Sequence, residues 1–138
     1  MIVSERIQIR TRGDGHILDI TDQVGRKLRD SGLQEGIITL FTPSSTSGLT
    51  TIEYESGVVH DLQQLFDRIV PSDIDYRHNL RWGDGNGHAH VRHALLGASL
   101  TIPFVQGQMT LGTWQQIVFA DFDNRARSRS LVVQIMGE

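Results

Sequence analysis

Eight short runs of β-branched, aromatic and alternating apolar residues, interrupted at irregular intervals by three helical periods, constrain this chain more than any other feature. Met1 to Arg10 alternates loosely around Ile7 and Ile9, and Gly13-Asp14-Gly15 supplies a turn before a second run at His16 to Ile20, which predicts an opening hairpin. Further strands are predicted at Gly36 to Thr42, Thr50 to Glu55, Ser99 to Val105, Met109 to Leu111, Gln115 to Phe122 and Arg129 to Met136, with Gly107, Gly112 and Asp123-Asn124 as breaks. The helices are predicted from Thr21, a candidate cap, with Val24 and Leu28 at i and i+4 and Gly32 as the stop; from Ser56, as cap, to Pro71 around Val58, Leu62, Leu65, Phe66 and Ile69; and from His88 to Leu96, closed by Gly97. Strict strand-helix alternation would make a parallel, doubly wound sheet. Its absence predicts an α+β fold on a largely antiparallel sheet or sandwich, with two or three helices.

The 138 residues are the length of one ordinary domain, 1–138, and the 38% apolar and 21% charged shares are those of a folded globular chain. No apolar run approaches the roughly 20 residues of a membrane helix, and no signal peptide is visible at the start. The absence of cysteine excludes disulfides, thiolate metal sites and cysteine nucleophiles, and suits a cytoplasmic location. A net charge of -3 gives no reason to expect nucleic acid or an anionic membrane as partner. There is neither a GxxxxGK phosphate loop nor a GxGxxG fingerprint, so no organic cofactor is indicated. All cations but Lys27 are arginine, through genome composition or through the bidentate grip of guanidinium on phosphate and carboxylate.

Chemistry-bearing residues concentrate late in the chain. Pro71 to Gly87 lacks any period, and a stretch of that length in a compact domain is expected to be a functional loop. It leads into Asp84-Gly85-Asn86-Gly87-His88-Ala89-His90, which in an extended backbone would turn Asp84, Asn86, His88 and His90 to one side; with His78 these form a ligand set for zinc, manganese or magnesium. If the helix starts before His88, then His88 and His90 diverge by about 200° and His90 pairs with His93 instead. The plainer alternative makes these histidines helix caps and subunit contacts.

Glu53 and Glu55 share a predicted strand face with Thr51, as an acid-base or metal pair or as a solvated face. Thr42-Pro43-Ser44-Ser45-Thr46-Ser47-Gly48 is a hydroxyl-rich turn of the kind that can hold an anion. Arg125, Arg127 and Arg129 alternate into the last strand, a ladder suited to phosphate or pyrophosphate, to protection of a sheet edge, or to ion pairs between subunits. Gln115, beside Trp114 on an otherwise apolar strand, needs hydrogen-bond partners.

Gly107-Gln108-Met109-Thr110-Leu111-Gly112-Thr113-Trp114-Gln115-Gln116-Ile117, with Tyr76-Arg77-His78, the Asp84 to His90 segment, Leu95-Leu96-Gly97 before Ile102-Pro103, and Arg127 with Arg129, resembles the YjbQ-like family, whose members are often described as secondary thiamine-phosphate synthases. The resemblance spans essentially the whole chain. It implies a two-sheet, mainly antiparallel β-sandwich assembling as a homotrimer, and puts the family's recurrent polar positions on Thr46, Ser47, Asp61, His78, His90, Gln115 and Arg127. One element departs: the leading His of a His-Thr-Ser-Ala element is Ser45 here, so either His88 replaces it or the activity is absent. The activity implied is displacement of pyrophosphate to form thiamine phosphate. His78, His88, His90 and Asp84 would hold a divalent ion, His78 and His90 could move protons, and Glu53, Glu55 and Gln115 would orient the substrate. Ser45, Thr46, Ser47, Asn86, Arg127 and Arg129 would bind phosphate. The alternative is a trimer that binds a phosphorylated metabolite or a metal without chemistry.

Overall fold

A computed structural model describes residues 1–138. The chain forms β1 (Ile2–Thr11), β2 (His16–Asp19), α1 (Thr21–Ser31), β3 (Gly36–Phe41), β4 (Ser47–Ile52), α2 (Ser56–Ile69), α3 (Arg77–Trp82), α4 (Gly87–Leu96), β5 (Ser99–Val105), β6 (Gln108–Met109), β7 (Gln116–Asp121) and β8 (Arg127–Gly137). These strands make two antiparallel sheets, one ordered β1-β8-β3-β5-β6 and the other β2-β7-β4. No helix is long and apolar enough to cross a membrane.

The alternation read from the sequence sets the layers. Ile7, Ile9, Ile38, Leu40, Ile102, Phe104, Leu131, Val133 and Ile135 point inward from the larger sheet and meet Leu49, Ile117 and Phe119 of the smaller one, with Val24 and Leu28 of α1. A second cluster lies behind the smaller sheet, where Ile17, Val118 and Ala120 pack on Phe66 of α2 and Ala89 of α4. The central strand β7 is therefore covered on both faces, which is why it reads as a continuous apolar run rather than an alternating one.

Several expectations are corrected. The first two strands do not form a hairpin: β1 pairs with β8 and β2 with β7, so the Gly13–Gly15 turn crosses between sheets. That turn has positive φ at three successive residues and is anchored by Asp14 N–H to Asp123 O (2.7 Å) and Gly15 N–H to Asp121 O (2.8 Å). Thr21 is not the cap of α1; Asp19 accepts from its N–H and its hydroxyl, and Thr21 Oγ1 accepts from Ile117 N–H of β7. Nor does Ser56 cap α2, since Glu55 accepts from the N–H groups of Gly57 and Val58. There are four helices rather than two or three. The extra one, α3, lies inside the stretch expected to be loop; it has six residues, none fully buried, and so carries no period to read.

Candidate functional site

The site grows from the C-terminal end of β7, where the apolar run turns into Asp121-Phe122-Asp123. Asp121 is fully buried; it accepts from Thr11 Oγ1 (2.7 Å) and holds Arg129 by two bonds, Nε to Oδ2 (2.8 Å) and Nη2 to Oδ1 (3.0 Å). Asp123, also buried, accepts from Thr46 Oγ1 (3.1 Å) and pairs with Arg127 Nη2 (3.1 Å), with Arg129 Nη2 at 3.6 Å. Burial alone would raise the Asp123 pKa, but hydrogen bonding from Arg127, Asn86 and Thr46 and the Arg127 charge outweigh it and hold the carboxyl below its usual range. Thr46 is itself clamped between Asp123 and Arg129 Nη2 (2.8 Å), and its N–H donates to Ser44 Oγ (3.2 Å).

The histidines reach this corner from two helices. His78 on α3 and His90 on α4 have ring centroids 4.2 Å apart, and His78 Nδ1 is 3.4 Å from Asp84 Oδ1. One ligand atom from each of His78, Asp84 and His90 lies within 4.8 Å of the others. A divalent ion held at about 2.1 Å by three such atoms would draw them to roughly 3.4 Å, a closure within side-chain rotation. Burial depresses the His90 pKa, the neighbouring His78 adds to this and Asp84 opposes, a balance that favours the neutral imidazole metal ligation requires.

The connection that carries Asp84 is fixed by its backbone. Asn86 N–H donates to Asp84 Oδ1 (3.1 Å), Asn124 Nδ2 donates to Asp84 O (2.6 Å), Asn124 N–H donates to Asn86 Oδ1 (2.9 Å), and Gly87 N–H donates to Asn79 Oδ1 of α3 (2.8 Å). Between the histidines and the carboxylates opens a cleft of about 350 Å³, polar throughout apart from Pro43, lined by Ser44, Ser45, Thr46, Asp84, Asn86, His90, Asp123, Arg127 and Arg129. The largest surface groove, about 570 Å³ between α1 and the β5-β6 turn, has Arg29 as its one charged residue and offers no comparable chemistry.

Of the four expected ligands, three come together and His88 does not. Because α4 starts at Gly87, His88 and His90 leave opposite sides of the helix; His88 is buried, with its pKa depressed by burial and by Arg92. The expected partner of His90, His93, instead bonds through Nδ1 to Ser47 O and ties α4 to β4. Ser47 is fully buried, its hydroxyl paired with Thr42 Oγ1 (2.8 Å), so it supports the turn and does not face the cleft.

Glu53, Glu55 and Gln115 lie at the other end of the smaller sheet. The register pairs Ser47 with Asp121 and Ile52 with Gln116, which separates the two ends by roughly 17 Å at 3.3 Å per residue. The strand ends at Ile52, so Glu53 and Glu55 share no strand face, and Glu55 is occupied as a helix cap. Gln115 has found its partners, donating to Thr51 Oγ1 (3.0 Å) and accepting from Gly112 N–H (3.1 Å). Asp61 is solvent-exposed on α2. Asp121 and Asp123 are site residues that the sequence reading does not include; their signal is a pair of carboxylates directly after the apolar run Ile117 to Ala120.

A family model described as UPF0047 protein YjbQ-like matches residues 5–138. A UPF0047 protein of Methanothermobacter thermautotrophicus is 36% identical over 99% of this chain and 94% of its own length, and one of Archaeoglobus fulgidus is 34% identical over 94% and 98%. The crystal structure of a YbjQ-like protein of unknown function from Sulfolobus solfataricus P2 superposes with a TM-score of 0.90 at 30% identity over the whole of both chains. A hypothetical protein from Aeropyrum pernix K1 gives a TM-score of 0.92 at 29% identity over 99% of each. The sandwich with a His-Asp-His corner is thus carried by a chain that belongs to the UPF0047 YjbQ-like family.

Proposed function

We propose that the cleft is a divalent-cation site that holds a small phosphorylated molecule. The observation that carries this reading is the convergence of His78, Asp84 and His90, from three separate segments, at the edge of a polar cleft. Zinc, manganese and magnesium are the ions to test, and no organic cofactor is required. When bound, the ion would supply Lewis acidity toward phosphate oxygens. His78 and His90 hold it, Asp84 lends it a carboxylate, and the hydroxyls of Ser44, Ser45 and Thr46 with the Asn86 amide orient the ligand.

The reaction proposed is the one the family resemblance suggests: a thiazole phosphate nitrogen attacks an aminopyrimidine carbon, a C–N bond forms, and the C–O bond to pyrophosphate breaks with its electron pair leaving on pyrophosphate. Such chemistry asks of the protein that it hold two reactants together and stabilise the leaving charge, and it needs no protein nucleophile. A second reading, binding without turnover, is favoured by the pairing of both Arg127 and Arg129 with carboxylates, which leaves neither guanidinium fully free for a leaving group.

Elemental mass spectrometry of untagged protein is expected to find about one divalent ion per chain, lost in a His78→Ala, His90→Ala variant that stays folded. No ion in the wild type after incubation with zinc or manganese would overturn the reading. Incubation of the loaded protein with both precursors separates the two forms of it: thiamine phosphate marks the enzyme, and precursors recovered unchanged mark the binder.

Assembly as a homotrimer and a cytoplasmic location belong to the same reading. The register aligns Ile2, Met136, Ile37 and Pro103 across the outer face of the larger sheet, an apolar row suited to a subunit contact. Light scattering is expected to give about three times the 15.5 kDa of one chain, and Ile37→Glu to reduce it toward one. A monomeric wild type would remove the trimer.

A further inference from the structure

The two guanidiniums at the cleft are already matched. Arg129 is held bidentate by Asp121, and Arg127 pairs with Asp123 at 3.1 Å. Three carboxylates thus stand against two guanidiniums, and the unmatched one is Asp84, whose side chain is 43% exposed and whose neighbours are the imidazole of His78 and the N–H of Asn86. Three carboxylates against two guanidiniums leave the cleft one negative charge in excess. A phosphate group entering it would meet an uncompensated carboxylate on the wall of an open, polar cleft, and like charges a few ångströms apart repel. The charge changes sign when a divalent cation binds.

Resting on the cation reading above, we propose that Asp84 makes binding ordered: it bars an anionic ligand from the cleft until a divalent cation has bound beside it. Asp84 is then a specificity-determining residue with two effects of opposite sign, attracting the cation and repelling the anion that follows. The arginines do not act as a free-standing phosphate clamp. Their carboxylate partners hold them in place, and the electrostatic attraction for phosphate comes from the ion. Linkage also requires the converse, that the anion tighten the cation by the same factor.

The test uses the full-length protein at pH 8 with methylphosphonate as probe, by calorimetry, on metal-free protein and on protein loaded with Mn²⁺ and dialysed free of excess. Mn²⁺ retention is measured separately by elemental analysis. Loaded wild type is expected to bind methylphosphonate at least about tenfold more tightly than metal-free wild type, in line with ordinary coupling between sites. Asp84→Asn is expected to retain less Mn²⁺ and yet, free of metal, to bind methylphosphonate more tightly than metal-free wild type. A merely structural role for Asp84 would weaken both.

Equal affinity of metal-free and loaded wild type, or no binding to either, would overturn the proposal while leaving the cation site standing. So would an Asp84→Asn protein that, free of metal, binds the probe no better than wild type. Failure of wild type to retain Mn²⁺ would overturn the cation reading itself and this proposal with it. Should Asp84→Asn not fold, Asp84→Ser removes the same charge at an exposed position and must give the same rise in metal-free affinity.

Discussion

Arg129→Ala is expected to cost about 3–5 kcal/mol of folding stability, because it leaves a buried carboxylate without its charge partner. Asp121 is fully buried, and after loss of the guanidinium its remaining partners are the Thr11 hydroxyl and the backbone N–H of Asp123. Neither carries charge. Urea unfolding at neutral pH checks the figure, with Arg127→Ala as the comparison. Arg127 is the more exposed of the two, with 32% of its side chain accessible against 15% for Arg129, and its partner Asp123 keeps Thr46 and Arg129 when it is removed, so about 1 kcal/mol is expected there. If the two variants lose equal stability, the bidentate Asp121–Arg129 pair is not what holds this corner together.

The Arg127→Ala deficit should also depend on pH, with a sign fixed by Asp123. Arg127 helps hold the Asp123 pKa below its unfolded value. A depressed carboxylate contributes stability that is present above the unfolded value, near 3.9, and lost as pH falls through the folded one. The difference between wild type and Arg127→Ala is therefore expected to be full at neutral pH and to shrink in acid below about pH 4.

How far the fold could be read in advance depended on whether a signal was local. Inward-pointing Ile7 and Ile9, the apolar run of β7 and the period of α2 each follow from burial on one face or two, and burial leaves its mark in the spacing of residues. The Gly13–Gly15 turn left no such mark. A run of positive-φ residues reverses a hairpin or carries a chain between sheets with the same composition, and what decides is the partner far along the chain, here β8 for β1 and β7 for β2. The cap of α2 lies one residue before the expected serine because a carboxylate at Glu55 satisfies the first N–H groups as well as a serine hydroxyl would.

The site divides along the same line. Grouping His78, Asp84 and His90 needed only the observation that chemistry-bearing residues crowd one segment. Excluding His88 needed the start of α4, and pairing His90 with His78 needed the crossing of two helices, which no spacing reveals. The carboxylates that neutralise Arg127 and Arg129 were equally hidden. An alternating arginine ladder looks the same whether it faces phosphate or buried aspartates, and only the β7-β8 turn brings Asp121 and Asp123 against it.

Gly87→Ala is expected to disable the cation site without touching any ligand. A Cβ at Gly87 would lie 2.3 Å from Cβ and 2.7 Å from Cγ of Tyr76, the residue that caps α3, and 3.0 Å from Asn79 Oδ1. Tyr76 cannot easily yield, since its hydroxyl donates to Pro71 O at 2.6 Å, and the Gly87 N–H to Asn79 bond joins the two helices at this point. The added methyl must therefore push α3 away from α4. That motion separates His78 from His90, whose rings stand 4.2 Å apart, while the two hydrophobic clusters contain no side chain of α3. The expected result is a loss of about 1–3 kcal/mol, the usual cost of overpacking, with Mn²⁺ affinity falling by more than about tenfold, as when the groups that orient metal ligands are lost. Gly32→Ala is the control: it strains a left-handed backbone with φ of 72° at the end of α1, meets no atom within 4 Å, and is expected to cost about 1–2 kcal/mol while leaving Mn²⁺ binding unchanged. Equal loss of Mn²⁺ in both variants would mean that affinity follows global stability, and the α3-α4 contact would then have no special part in bringing the two imidazoles together.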